Sequence, residues 1–258
     1  MIRALPLLLL VASVAPDAAA APLDAPAMQA LLARFDEKMK SAGDFTARAY
    51  IETREKDKPD VAYDAVYYRH DADDRFLILF LAPKAEAGKG YLRIDQNLWM
   101  YDPTVGKWER RTERERIGGT GSQRGDFDPD SYANDFTHTY VGEEKLGRFT
   151  VHHLKLVAKE GVDVASPTLH VWFDAESENL LKVQEHALSD RLMRTVYYPK
   201  WEKIPDPRSG RDVYYAKEIR IFDEVEKENR STIAVRSVDL ADLPANMFTK
   251  AWLESKSR

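Results

Sequence analysis

The chain has 258 residues, of which 44% are hydrophobic and 31% charged, so it can fill a sizeable core and global disorder is excluded. Its formal net charge is −5 with both signs interspersed, and without a basic stripe nucleic acid is not an expected partner. There is no cysteine, which rules out disulfides, thiolate chemistry and lipid attachment at a cysteine.

The first twenty residues read as an export signal. Arg3 supplies a positive start, Leu5 to Val14 a short apolar run, and Ala18, Ala19 and Ala20 the small residues of a cleavage site. The apolar run is too short to span a bilayer. Cleavage near Ala20 leaves residues 21–258 as one expected domain, and a bacterial periplasm is the expected compartment.

A helix is predicted over Ala25 to Ala42, because Met28, Leu31, Leu32, Phe35 and Met39 recur at three- and four-residue steps and Gly43 ends the pattern. Strands are predicted at Asp44 to Arg54, Val61 to Arg69 and Arg75 to Leu81. The last of these is apolar on both faces, so both should be covered. Gly88 to Arg111 reads as a meander of three short strands, Tyr91 to Ile94, Leu98 to Tyr101 and Trp108 to Arg111, punctuated by Asp102-Pro103 and Gly106. It is rich in aromatics yet holds no nucleophile or base, which suits holding something apolar better than transforming it.

Ile117 to Phe136 is a long irregular segment with a short helix expected near its end, and a loop of that length in a compact domain is usually functional or mobile. Strands resume at Thr137 to Gly142, Phe149 to Lys159, Thr168 to Asp174, Leu180 to Ala187 and Leu192 to Lys200. A surface loop is expected at Lys203 to Arg211, a last hairpin at Val213 to Asp223 and Asn229 to Leu240, and a short helix at Phe248 to Leu253. About eleven or twelve strands with few helices predict a mainly β protein, a closed or partly open antiparallel barrel in which sequence neighbours pair.

Reactive motifs are weak. Gly118 to Gly121 (GGTG) lacks the lysine of a nucleotide loop, and Ser122 is not in a nucleophile-elbow setting. Asp126, Asp128 and Asp130 alternate like the start of a calcium loop, but Ser131 and Thr137 stand where glycine and a bidentate glutamate are required. His152 and His153 point to opposite faces of a strand, and His170 and His186 have no spacing partner for zinc. No catalytic residue, metal or cofactor is expected.

Several pieces in order carry a resemblance: Gly90-Tyr91-Leu92, Leu98 to Pro103, Arg110-Arg111, Gly125-Asp126-Phe127, Gly142-Glu143-Glu144 with Gly147, Val171 to Asp174 with Leu180 to Val183, Val196-Tyr197, Leu243-Pro244, and Phe248-Thr249 through Leu253. Together they resemble the outer-membrane lipoprotein-sorting (LolA-like) family of periplasmic carriers, in a longer branch, over nearly all of residues 21–258. The resemblance implies an incomplete antiparallel barrel of about eleven strands, with a helical lid or plug over an apolar cavity. It implies a non-enzymatic carrier that takes acyl chains of lipoproteins or other lipids from the inner toward the outer membrane. An inner-membrane transporter would be the donor, with transient membrane contact. In such carriers an arginine after the second strand helps hold the lid closed. Arg69 is its nearest counterpart, although His70-Asp71 follows where those carriers have proline.

The expected cargo cavity comprises Phe76, Ile78 and Phe80 with Leu92, Ile94, Trp99, Tyr101, Val171 and Phe173. The expected lid is the first helix, with Leu31 and Phe35, and the long loop, with Phe127. Plain core packing is the alternative for each cavity residue, since a one-residue slip of a strand swaps its faces. The alternative function is a lipid- or protein-binding sensor or adaptor that regulates a membrane partner.

Overall fold

The computed structural model describes residues 22–257 apart from 41–42, 74, 95–96, 113 and 128–129. The expected export signal, residues 1–20, and Asp128 of the acidic loop lie outside the described residues. In chain order the main elements are α1 (Ala25–Met39), β1 (Asp44–Arg54), β2 (Val61–His70), β3 (Arg75–Ala82), β4 (Gly90–Ile94), β5 (Asn97–Asp102) and β6 (Lys107–Arg111). They are followed by α2 (Tyr132–Asp135), β7 (Phe136–Leu146), β8 (Phe149–Ala158), β9 (Thr168–Asp174), β10 (Leu180–His186), β11 (Leu192–Asp206), β12 (Arg211–Asp223), β13 (Arg230–Asp239) and α3 (Lys250–Lys256).

The thirteen strands form one antiparallel sheet in the order β6-β5-β4-β3-β2-β1-β13-β12-β11-β10-β9-β8-β7. Two meanders, β1 to β6 and β7 to β13, are joined where the first strand pairs with the last, Ile51 opposite Ile233. The sheet does not close: β6 and β7 are its free edges, so the expected incomplete barrel is present with thirteen strands in place of about eleven. The expected surface loop at 203–211 is smaller than the sequence suggests. β11 continues to Asp206, and register shifts around Tyr197, Lys200 and Trp201 accommodate Pro199, which has no N–H to give a ladder.

Each face of β3 is covered, as its composition requires. Phe76, Ile78 and Phe80 face the concave side, in the main core with Ile51, Leu154, Val171, Phe173 and α1. Leu77 and Leu79 face outward into a smaller core closed by Phe248 and Leu253 around α3. Asp24 caps α1 by accepting from the Ala27 N–H at 2.8 Å. The helix lays Met28, Leu31, Leu32 and Phe35 on the concave face, all at most 7% exposed. Burying four such side chains contributes about 6–12 kcal/mol against leaving them in water.

Candidate functional site: the covered concave face and its mouth

Among the described residues no second sheet covers the concave face. α1 and the described parts of 114–135 do, and each is fastened by polar contacts at the edges of an apolar surface. On one side Arg69 of β2 donates to the Met39 carbonyl oxygen at 2.6 Å and pairs with Asp71 at 2.6 Å. A cation at that end also complements the helix dipole. On the other side Arg34 forms a two-pronged pair with Glu178 (2.9 and 2.6 Å), and Lys38 donates to the Asn179 side chain at 2.6 Å, both in the β9–β10 turn.

Asp36 ties the two covering pieces to one another. Its carboxylate accepts from the Ser131 hydroxyl (2.7 Å) and from the backbone N–H groups of Tyr132 (3.0 Å) and Ala133 (2.9 Å), the first turn of α2. Burial raises the Asp36 pKa above the ordinary carboxylate value, and the three donors oppose that rise. Under these bonds Phe35 packs edge-on to Phe173 at 5.2 Å and stacks on Tyr132 at 5.6 Å. Farther along, the Tyr67 hydroxyl donates to the Phe127 carbonyl oxygen at 2.9 Å, with the two rings 5.9 Å apart.

The glycine-rich segment has a packing role. The Gly118 N–H donates to the Tyr91 hydroxyl at 2.7 Å. A Cβ on Gly118 would come within 2.9 Å of the Phe80 ring, and one on Gly119 within 2.3 Å of the Tyr63 hydroxyl. Gly118 also has φ +63°, a conformation that L side chains rarely adopt. Those absences let the loop lie directly on the aromatic floor.

A buried ion cluster anchors the loop more deeply. Arg194 of β11 donates to Asp126 at 2.7 Å and to Glu185 of β10 at 2.6 Å. Burial opposes the Arg194 charge, but Asp126 and Glu185 outweigh it and keep the guanidinium protonated. Beside this cluster lies a cavity of about 730 Å³, opening among the ends of β1 and β10, the β12–β13 turn and the 114–123 segment.

The nine residues expected to form a cargo cavity divide between the two faces, and none of them lines this cavity. Phe76, Ile78, Phe80, Val171 and Phe173 lie on the concave side, under α1 and the loop. Leu92, Ile94 and Tyr101 lie in the outer core beneath α3. Trp99 faces outward as well, with the Lys250 ammonium 3.9 Å from its ring. The cause is register: Leu92 pairs with Leu77 and Trp99 with Leu92, so all three share the outer face of β3. The four residues expected to form a lid, Leu31, Phe35, Phe127 and Arg69, lie in or against the helix and loop over the concave face.

The sequence did not reveal one outer-face cluster. His153, His170 and His186 come from β8, β9 and β10 and meet across the sheet. His153 Nε2 and His170 Nδ1 are 2.8 Å apart, and the His170 and His186 rings 5.1 Å. Glu144 accepts from both His153 (2.7 Å) and the Trp172 indole (2.9 Å). Among the described residues no group of three or more His, Cys, Asp or Glu side chains could hold a metal ion.

An open antiparallel half-barrel with a helix across its concave face defines the class, and solved structures share it. A LolA superfamily protein from Nitrosomonas europaea matches with a TM-score of 0.72 at 20% identity, covering 87% of this chain and 98% of that one. A candidate outer-membrane lipoprotein-sorting protein domain from Vibrio parahaemolyticus matches with a TM-score of 0.74 at 15% identity, covering 86% and 97%. A DUF1329 family protein from Desulfovibrio piger matches with a TM-score of 0.77 at 17% identity, covering 88% and 98%. The fold is therefore LolA-like. The chain belongs to a family whose model, described as "-like: Uncharacterized protein", matches residues 72–255. No curated protein matches the sequence.

Proposed function

We propose that the protein is a periplasmic carrier that binds the acyl chains of lipoproteins or other lipids on the concave face of its sheet. It would move them from the inner toward the outer membrane, with an inner-membrane transporter as donor. One observation carries the reading: a broad apolar sheet face is covered by a single helix and a loop, both fastened by polar contacts at their margins. The LolA-like fold supports it, and no catalytic step is assigned.

In this reading the structure is the closed state, and α1 occupies the space that cargo takes. The magnitudes suit an exchange. Four buried α1 side chains are worth about 6–12 kcal/mol, and a sixteen-carbon chain approaches about 12 kcal/mol at roughly 0.8 kcal/mol per methylene. One chain can displace the helix with little net gain, which allows release. Three fully buried chains would exceed the practical ceiling of about 18–21 kcal/mol for noncovalent binding, so part of a triacylated cargo stays outside.

The test is native mass spectrometry, with lipid extraction, of protein purified from the periplasm without detergent. A bound acylated species of defined mass supports the carrier. A clean apo mass, together with no fluorescence gain from an acyl probe, contradicts it.

A further inference from the structure

The outer face of the sheet carries a second cavity, of about 310 Å³, on the side away from α1. Strand parity places it. Trp172 pairs with Lys182, Lys182 with Tyr197, and Tyr197 with Arg220, so these four point away from Val171 and Phe173 of the concave core.

The cavity exists because neighbouring strands break their ladders at one level. The β9–β10 register shifts between Leu180 and Lys182, which leaves Leu181 as an extra residue. The β10–β11 ladder runs no further than Lys182 and Tyr197, and the β11–β12 ladder passes from Tyr197 to Lys200. Tyr198 and Pro199 therefore stand outside both ladders, and Pro199 has no N–H to give. On the concave side the Trp201 indole bridges the gap by donating to the Leu180 carbonyl oxygen at 2.8 Å. On the outer side the gap stays open, and Tyr198, which also packs on the main core, is part of its lining.

That lining selects a guest. Tyr197 and Phe222 meet edge-on, with ring centroids 5.8 Å apart and planes at 84°, and form a corner of two flat walls. Phe149 and Leu181 continue the apolar surface. Arg220 is the one charged residue among the described lining residues, and Glu218 neutralises it at 2.6 Å. An ionic guest would lose its hydration there without a free counter-charge, whereas a flat ring gains by stacking or meeting these rings edge-on. A cavity of about 150 Å³ lined by Leu, Ile and Phe takes benzene, so roughly twice that volume suits two fused rings.

We infer that this cavity is a binding site for a neutral, flat, apolar molecule of about two fused rings. The inference does not rest on the carrier reading, since the concave face and its cover take no part.

Titration with prodan, a neutral naphthalene dye whose emission shifts to the blue in apolar surroundings, tests it. The dye should bind saturably, and 2-naphthol should displace it. Phe222→Ala removes one wall and should weaken binding about two- to tenfold, the worth of one aromatic contact. Leu181→Trp fills the cavity and should abolish binding. Leu181 is buried, so if that variant fails to fold, Phe222→Ala, at a half-buried position, carries the test. Palmitate should not compete with the dye, and breaking the Arg69 contact to α1 by Arg69→Leu should leave dye affinity unchanged. Dye that palmitate displaces, with Phe222→Ala binding like the parent, would overturn the inference and put the dye on the concave face. Absence of saturable binding would overturn it too, as would decanol displacing the dye as well as 2-naphthol does. Loss of palmitate binding with dye binding intact would count against the carrier reading alone, so the two failures are distinguishable.

Discussion

The guanidinium of Arg69 donates to the carbonyl oxygen of Met39 over 2.6 Å, so a strand of the sheet grips the last turn of the helix that covers it. That bond joins the floor of the site to its cover without adding apolar contact. It can therefore be broken with little change in the cavity left behind.

Arg69→Leu should shift the balance toward the open state. Losing a charge-assisted hydrogen bond costs about 1.5–3 kcal/mol, and where the closed state dominates this appears as roughly tenfold or more in apparent acyl-probe affinity. Titration with a fluorescent fatty acid should show tighter binding alongside a lower melting temperature. Arg69→Lys, keeping the charge but not the fork, should fall between. Weaker probe binding by the leucine variant would show that Arg69 does not restrain the cover.

Asp36 is the hinge pin between α1 and α2, accepting three hydrogen bonds. Asp36→Ala leaves the buried N–H groups of Tyr132 and Ala133 without an acceptor, at about 1–3 kcal/mol. Amide exchange of α1 and of residues 130–135 should accelerate together, while β1 to β3 keep their protection. Acceleration spread over the whole sheet would instead mark Asp36 as a determinant of global stability.

The histidine cluster predicts an acid-labile outer face. Burial, and then the neighbouring His153 and His186, lower the His170 pKa from 6.5 to about 4. Because the folded value lies below the unfolded one, the unfolded chain takes up the proton first. Stability is whole above about pH 6.5 and is lost as pH falls toward 4. Urea unfolding between pH 7.5 and 5 should show the decline, and His170→Asn should flatten it. An equally steep decline in the variant would assign the effect to other groups.

Gly90 and Leu253 form a lock between β4 and α3. A Cβ on Gly90 would come within 2.5 Å of a Leu253 methyl, so Gly90→Ala should cost about 1–3 kcal/mol through overpacking. Leu253, fully buried, should lose about 2–5 kcal/mol as Leu253→Ala. The double variant removes the clash and should lose less than the sum of the two. A strictly additive cycle, measured by chemical denaturation, would show that the contact is not tight.

Much of this fold was legible in local pattern. The stripe from Met28 to Phe35 marked α1 and its buried face, and each of the thirteen strands overlaps a stretch expected as a strand, although β11 runs on to Asp206 where a loop was expected. The two-faced apolarity of β3 announced that both its sides would be covered, as Phe80 and Leu79 are. Facing was less accessible. Nothing local tells that Leu92 pairs with Leu77 and so turns away from Phe76 and Ile78, because register is set by the whole meander. The histidines met for the same reason: residues seventeen and sixteen apart in sequence became neighbours only through the ladders of β8, β9 and β10. Arg194 gave no signal either, since Asp126 comes from a distant segment and the place of Glu185 opposite it is set by the β10–β11 register. The glycines of the 118–121 segment were visible but pointed to no ligand. Their use became clear only once Tyr63 and Phe80 lay beneath them.

Hydrogen exchange of α1, with and without a palmitoylated peptide, tests the central claim most directly. If an acyl chain takes the helix's place on the concave face, the amides of residues 25–39 should lose protection on loading while those of β1 to β3 keep or gain it. Ligand binding that leaves α1 equally or more protected would contradict the account and place the acyl chain elsewhere.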